Sequence, residues 1–150
     1  MKKWTLLTAL FILLPGACEK PGTCVDEKEL VPRAGRYYRP GDREPYSGAV
    51  CGTHAGGAPA LEGMYLDGLR SGCFSFRNSA GWREREETFV KGRLTLRKSW
   101  DGPGEQSGEQ LEWWPNGQLK SRSTIYKGIP FLQTAWDSAG RKIAPEIPGG

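Results

Sequence analysis

Glycines recur at an almost constant interval along most of the chain. They fall at positions 56, 68, 81, 92, 104, 117, 128 and 140, so that 11 to 13 residues separate each from the next. One strand of about six to eight residues and one tight turn fill this length. Tight hairpin turns need a positive φ, which Gly adopts without strain. The spacing therefore predicts an all-β protein, built as an extended antiparallel meander of β-hairpin repeats.

Alternating side chains between these glycines predict nine strands. Asn116-Gly117 joins two apolar runs and is the strongest hairpin signal, which we interpret as a type I′ turn. Asp67-Gly68, Lys91-Gly92 and Lys127-Gly128 are similar turn dipeptides. An offset of 36 residues also aligns six pairs of glycines, which indicates an internal repeat. The predicted strands are residues 36–39, 46–53, 60–66, 73–78, 83–90, 93–100, 109–114, 118–126 and 130–136.

The first 18 residues have the composition of a secretory leader. Lys2 and Lys3 precede an apolar stretch from Trp4 to Leu14, which is shorter than the ~20 residues that a membrane-spanning helix needs. The sequence Gly16-Ala17-Cys18 resembles a bacterial lipoprotein processing site, although Pro15 departs from that pattern. We expect Cys18 to carry the lipid, and the chain to be anchored to the periplasmic face of the outer membrane. Simple secretion and an uncleaved anchor are the alternatives.

The rest of the chain divides into a linker over residues 19–35, a β-repeat domain over 36–143 and a loose tail over 144–150. Without the leader the net charge is +2, from 19 basic and 17 acidic residues. This near balance argues against nucleic acid as a partner. A P-loop, a GxSxG motif and a dinucleotide fingerprint are all missing from the sequence. We therefore expect a protein without enzymatic activity or cofactor, and with no catalytic residues.

The cysteines predict one disulfide in an oxidising compartment. Cys24, Cys51 and Cys73 are the disulfide candidates once Cys18 is lipidated. In a meander, Cys51 and Cys73 lie on strands separated by another strand, about 9.6 Å apart, which exceeds the reach of a disulfide. Cys24 can reach either residue, and Cys51 is favoured because the loop is shorter. Cys73 is then expected to stay free, and metal ligand spacing is absent from the sequence.

The segment "LEWWPNGQLKSRSTIYKG", residues 111–128, resembles the MORN-repeat variant family. Its hairpins read aromatic-aromatic-x-Asn-Gly-x-Leu-Lys and end in Tyr-Lys-x-Gly. The residues that match are Trp113, Trp114, Asn116, Gly117, Leu119, Lys120, Tyr126, Lys127 and Gly128. The resemblance implies a fold of repeated β-hairpins. Some bacterial members form a YwqK-like antitoxin group, and this label implies binding to a partner protein.

Aromatic residues are the best indication of function. Trp113 and Trp114 are adjacent in a strand, so they point to opposite faces and cannot share one buried face. Exposed aromatic side chains on a rigid sheet mark binding sites. We expect a membrane-tethered protein-interaction module of the cell envelope, and an antitoxin or immunity protein is the alternative. The partner and the oligomeric state are left open, and the candidate binding surface comprises Trp100, Trp113, Trp114, Tyr126 and Trp136.

Overall fold

The structure is a computed structural model and describes residues 23–143. The leader with Cys18, and the tail over 144–150, lie outside these residues. One large sheet holds eleven strands, and a two-stranded hairpin accompanies it. The strands are β1 (Val25–Asp26), β2 (Val31–Arg33), β3 (Arg36–Tyr38), β4 (Gly48–Thr53), β5 (Pro59–Leu66), β6 (Leu69–Arg70), β7 (Gly72–Arg77), β8 (Arg83–Val90), β9 (Arg93–Ser99), β10 (Gly108–Trp113), β11 (Leu119–Tyr126), β12 (Ile129–Trp136) and β13 (Lys142–Ile143).

The strands of the large sheet follow one another almost in chain order. The spatial order is β1-β4-β5-β7-β8-β9-β10-β11-β12-β13, with β6 beside β5. Apart from the parallel pair β1–β4, neighbouring strands are antiparallel. This confirms the predicted all-β meander, and each of the nine predicted strands corresponds to an observed strand. Among the described residues, no helix is long and apolar enough to cross a membrane.

Two kinds of tight turn join most of the neighbouring strands. At Asp67-Gly68 both central residues are left-handed, with φ of 52° and 72°, as a type I′ turn requires. Lys91-Gly92 and Lys127-Gly128 are alike. The second kind is a three-residue loop in which only the last residue is left-handed. Residues 55–57, 79–81, 115–117 and 138–140 form such loops, with φ between 81° and 89° at their final glycines.

The interpretation of Asn116-Gly117 as a type I′ turn is wrong. The N–H of Gly117 donates to the carbonyl of Trp114 at 2.8 Å, and the N–H of Trp114 donates to the carbonyl of Gln118 at 2.8 Å. These bonds enclose three residues, so Asn116 keeps an ordinary negative φ and the Asn side chain accepts from the N–H of Gln118. The turn is therefore a type I turn followed by a left-handed glycine.

The turns lie along the two opposite ends of the strands, which we call rims. Because neighbouring strands run in opposite directions, successive turns alternate between the rims. Rim A carries the turns at 55–57, 79–81, 101–107 and 127–128, and rim B carries those at 67–68, 91–92, 115–117 and 138–140.

The hydrophobic core covers one face of the N-terminal half of the sheet. We call this the front face. The core side chains on it include Val50 of β4, Leu61 and Tyr65 of β5, and Phe74 of β7. Phe74 contacts Tyr65 and Phe89 edge to face, with ring centroids 5.8 and 5.3 Å apart. Edge-to-face pairs of this kind add to the stability gained from burial.

Residues 25–46, which we call the cover segment, close this core from the front. Leu30 and Tyr46 are buried against this core, and the partly buried Tyr37 packs against it. The backbone of Tyr37 and Tyr46 is hydrogen-bonded to Gly68 of the nearest turn. The predicted linker, residues 19–35, is described from residue 23 onward, and there it carries β1, β2 and a 3₁₀ helix over Glu27–Glu29.

A disulfide between Cys24 and Cys51 fixes the start of the cover segment, with Cα atoms 5.6 Å apart. This is the pairing that the sequence favoured because it closes the shorter loop, and β5 indeed lies between the strands of Cys51 and Cys73. Cys73 also belongs to a disulfide, and none of the described cysteines is free. The expectation that Cys73 stays free is therefore wrong.

Candidate binding surface

The five predicted surface residues lie on two different rims. Trp100 follows β9 and Tyr126 ends β11, both at rim A. Trp113, Trp114 and Trp136 lie at rim B, and we call these three the tryptophan cluster. Trp100 is only 9% exposed, whereas Tyr126 is 63% exposed and the cluster is half-buried. The five residues therefore do not form one continuous surface.

Hydrogen bonds from side chains to backbone carbonyls join the loops that carry Trp114 and Trp136. The indole N–H of Trp114 donates to the carbonyl of Trp136 at 3.0 Å. The side-chain amide of Asn116 donates to the carbonyl of Ser138 at 2.7 Å and joins the two neighbouring loops of rim B. These bonds cross between loops that are 22 residues apart in the chain. The two indoles are thus carried by loops that support each other.

Cations lie beside two rings of the cluster. The guanidinium of Arg97 is 5.8 Å from the ring centre of Trp113, and the ammonium of Lys120 is 5.2 Å from that of Trp114. Both distances are within the range of cation–π attraction. Lys120 also forms an ion pair with Glu112 at 3.2 Å. Rim B therefore presents aromatic rings with positively charged side chains next to them.

The loop at 138–140 owes its shape to Asp137. Its carboxylate accepts hydrogen bonds from the backbone N–H groups of Ala139 and Arg141, both at 2.9 Å, and from the Arg141 guanidinium. The bond from the Arg141 backbone is the main reason why the pKa of Asp137 lies below its usual value. The side chain is thus charged at neutral pH and holds the loop beside Trp136.

The front face changes character between the two halves of the sheet. The row that starts at buried Phe74 continues through Glu87 and Arg97 to Leu111 and Arg122. Glu87 is buried, and its carboxylate accepts a hydrogen bond from the guanidinium of Arg97 at 2.8 Å. The guanidinium of Arg85 forms an ion pair with the same carboxylate at 3.3 Å. Beyond this row, outside the cover segment, an open cavity of about 330 Å³ is lined by Glu109, Arg122, Thr124 and Thr134.

In the C-terminal half of the sheet, the buried side chains of β11 lie on the opposite face, which we call the back face. Ser121, Ser123 and Ile125 of β11 are buried there, and Arg122 and Thr124 between them are exposed. This confirms the alternation that the sequence of β11 predicts. Since Arg122 shares a face with Leu61 through the register of the intervening strands, the buried serines lie behind the sheet. The sequence argument did not find this change of face.

His54 and Tyr65, two groups that could perform acid–base chemistry, both make structural hydrogen bonds. The imidazole Nε2 of His54 is 2.9 Å from the carbonyl of Arg77 and links two strand ends at rim A. The hydroxyl of Tyr65 donates to the carboxylate of Glu27 at 2.8 Å, and Arg70 donates to the same oxygen at 2.8 Å. Burial raises the pKa of Tyr65 to about 12. Over residues 23–143, no cluster of potential metal ligands occurs.

Comparison with known proteins returns no family model, no curated protein and no solved structure that matches the chain.

Proposed function

We propose that the protein is a non-enzymatic interaction module of the bacterial cell envelope, tethered to a membrane through lipid on Cys18 and built from MORN-like hairpins. The tryptophan cluster on rim B carries the proposal. Tryptophan and arginine are the residues most enriched at the energetic centres of protein interfaces. A partner that suits rim B would place apolar side chains against the indoles and carboxylates near Lys120 and Arg97.

The location outside the cytoplasm is supported by two independent features. The leader over residues 1–18 has the order of a secretory signal, with a basic start, an apolar middle and a small-residue end. The Cys24–Cys51 disulfide ties the cover segment to β4. Structural disulfides persist in oxidising compartments and are rare in the cytosol.

Capture from envelope extracts tests the interaction. The tagged full chain, solubilised from membranes, is compared with Trp113→Ala and Lys120→Glu, and Met64→Ala serves as the matched control. Met64 is a half-exposed apolar residue of β5, four strand positions away from β10 in the sheet. We expect the two rim B variants to lose captured partner by at least about tenfold, a loss typical of interface centres. Capture that is equal for all variants contradicts the proposal.

The identity of the captured protein separates the two functions that the sequence left open. A toxin whose activity is inhibited by the chain would support the antitoxin alternative. A structural or enzymatic envelope component would support the tethered module.

The anchor is tested by chemistry at Cys18. We expect Cys18→Ala to leave the membrane fraction and mass spectrometry of the wild-type N-terminus to show acylation. Peptide mapping under non-reducing conditions identifies the partner of Cys73. A cysteine in a disulfide has no thiol left for a thioether-linked lipid, so finding Cys18 as that partner would exclude lipidation of Cys18 in that molecule.

A further inference from the structure

Asn116 links the two neighbouring loops of rim B, residues 115–117 and 138–140. Its side-chain nitrogen donates to the carbonyl of Ser138 at 2.7 Å, and its side-chain oxygen accepts from the N–H of Gln118 at 3.0 Å. An ionised carboxylate at this position could keep the second bond, but it has no hydrogen to donate to the carbonyl of Ser138. The link between the loops therefore depends on the amide nitrogen of Asn116.

The residue that follows makes this amide chemically unstable. Gly117 comes directly after Asn116, and its backbone nitrogen can attack the side-chain carbonyl carbon of Asn116. The bond from that carbon to the amide nitrogen then breaks, and ammonia leaves. Water opens the resulting cyclic imide at either of its carbonyls, which gives aspartate or isoaspartate without any transfer of electrons. Thermophilic proteins accordingly use asparagine sparingly.

The surroundings of Asn116 and Gly117 leave room for this ring closure. Both residues are exposed, and a Cβ placed on Gly117 would meet no atom within 4 Å. Gly117 also has no side chain to shield its own nitrogen. The chain's other asparagine, Asn78, is followed by Ser79, whose side chain hinders the same attack. Asn116 is therefore the asparagine of this chain that is more open to the reaction.

Hydrogen bonds of the folded loop slow the reaction. The N–H of Gly117 donates to the carbonyl of Trp114 at 2.8 Å, and the attacking nitrogen must lose this proton. The side-chain bonds of Asn116 must also break. Turns open locally far more often than the whole protein unfolds. The rate thus depends on how firmly the 138–140 loop, which Asp137 shapes, holds the amide.

We propose that Asn116 is a modification site, at which slow conversion of the side-chain amide to a carboxylate breaks the link between the two loops of rim B. The new carboxylate faces the carbonyl of Ser138, so that two acceptors meet where a donor and an acceptor met before. Isoaspartate also adds a methylene group to the backbone of the loop. The bond from the Trp114 indole to Trp136 then loses the support of the second link.

Peptide mapping of the aged full chain tests the reaction. Wild type and Asp137→Ala are kept folded in mildly alkaline buffer, and the products at position 116 are quantified over time by mass spectrometry. We expect Asn116 to be converted while Asn78 stays intact. Asp137→Ala should react at least about fivefold faster, because the loop that holds the amide is loosened. Asp101→Ala, which removes an exposed aspartate of rim A, should leave the rate unchanged.

The effect on rim B is measured with Asn116→Asp, which has the side chain of the product from the start. NMR should show that the indole proton of Trp114 exchanges with solvent at least about threefold faster than in wild type. Asn78→Asp is the matched control, since Asn78 also accepts from the N–H two residues further along, and it should leave this exchange unchanged.

The inference rests on the proposed function only in its biological consequence, which is weaker capture of a partner by Asn116→Asp. If that function alone is wrong, the conversion and the faster exchange remain as predicted. Three results would overturn the inference itself. They are an Asn116 that stays intact in the folded chain after the unfolded chain has reacted, a rate that Asp137→Ala does not change, and unchanged exchange of the Trp114 proton in Asn116→Asp.

Discussion

The hairpins β4–β5 and β10–β11 have the same backbone design, sixty residues apart, but different side chains. In the first, the hydroxyl of Ser47 accepts from the N–H of Asp67, and in the second Ser107 does so from Lys127. Gly68 and Gly128 donate to the carbonyls of Tyr46 and Gln106, both at 2.8 Å. Each hairpin also contains a three-residue loop that ends in a left-handed glycine.

The side chains at matching positions show what differs. Leu61 and Tyr65 of β5 correspond to Ser121 and Ile125 of β11, so both core side chains of the first hairpin are replaced by smaller ones in the second. The comparison indicates that the turn hydrogen bonds set the backbone conformation of each hairpin. The buried side chains instead set how much hydrophobic stabilisation each half of the sheet has. It also identifies the C-terminal half as the end with little hydrophobic core to lose.

Removal of a core ring should give the largest difference between the halves. Phe74→Ala deletes a fully buried ring, and we expect a loss of about 3–5 kcal/mol in unfolding free energy. Thr134→Ala, sixty residues further along on the same face, should change it by less than about 0.5 kcal/mol. Urea denaturation followed by tryptophan fluorescence measures both. Equal effects would show that the core is shared evenly along the sheet.

Loss of the Cys24–Cys51 disulfide should come next. The bond closes a loop with a sequence separation of 27, and the double variant Cys24→Ala/Cys51→Ala should lose roughly 2–4 kcal/mol. We expect amides of the cover segment and β4 to exchange with solvent faster, as measured by hydrogen–deuterium exchange. Amides of β11 should keep their protection. Uniform deprotection of the whole sheet would argue against two halves of different stability.

High pH should act on the N-terminal half through Tyr65. Because burial raises its pKa to about 12 from the ordinary value of 10.0, the folded state binds this proton more tightly than the unfolded state. Its contribution to stability is complete below pH 10 and is lost as pH rises toward 12. Thermal melts from pH 9 to 11.5 should show a steeper decline for wild type than for Tyr65→Phe. Parallel curves would mean that Tyr65 ionises normally.

Substitution of the loop glycines should have the smallest and most equal effect. Gly57 and Gly117 have φ of 82° and 89°, and an added Cβ would meet no atom within 4 Å at either position. The cost is therefore backbone strain alone, about 1–2 kcal/mol for each Gly→Ala variant. Chemical denaturation should give the same loss at both sites within error. A much larger loss of stability at Gly57 would mean that packing of the hydrophobic core also depends on the conformation of this turn.

The glycine spacing was sufficient to predict the strands from β4 to β12, because a meander needs only local pairings. The cover segment was not predicted. Leu30, Tyr37 and Tyr46 are recognisable as core residues only once the front face that they contact is known. The separation of the candidate residues could have been predicted, since Trp100 and Trp113 end consecutive strands and must lie on opposite rims. The change of buried face requires the register of several strands, which side-chain alternation within one strand does not provide.

Because the strands follow one another in nearly sequential order, the number of strands sets the distance between the two ends of the sheet. Neighbouring strands lie about 4.8 Å apart, so the seven steps from β4 to β12 hold the two ends about 34 Å from each other. The cover segment and its disulfide lie at the end nearest the N-terminus, and β12 and β13 lie at the far end. Each additional hairpin would extend the reach by about 10 Å without disturbing either end. The number of hairpins thus sets the distance between the cover segment and the C-terminal end of the sheet.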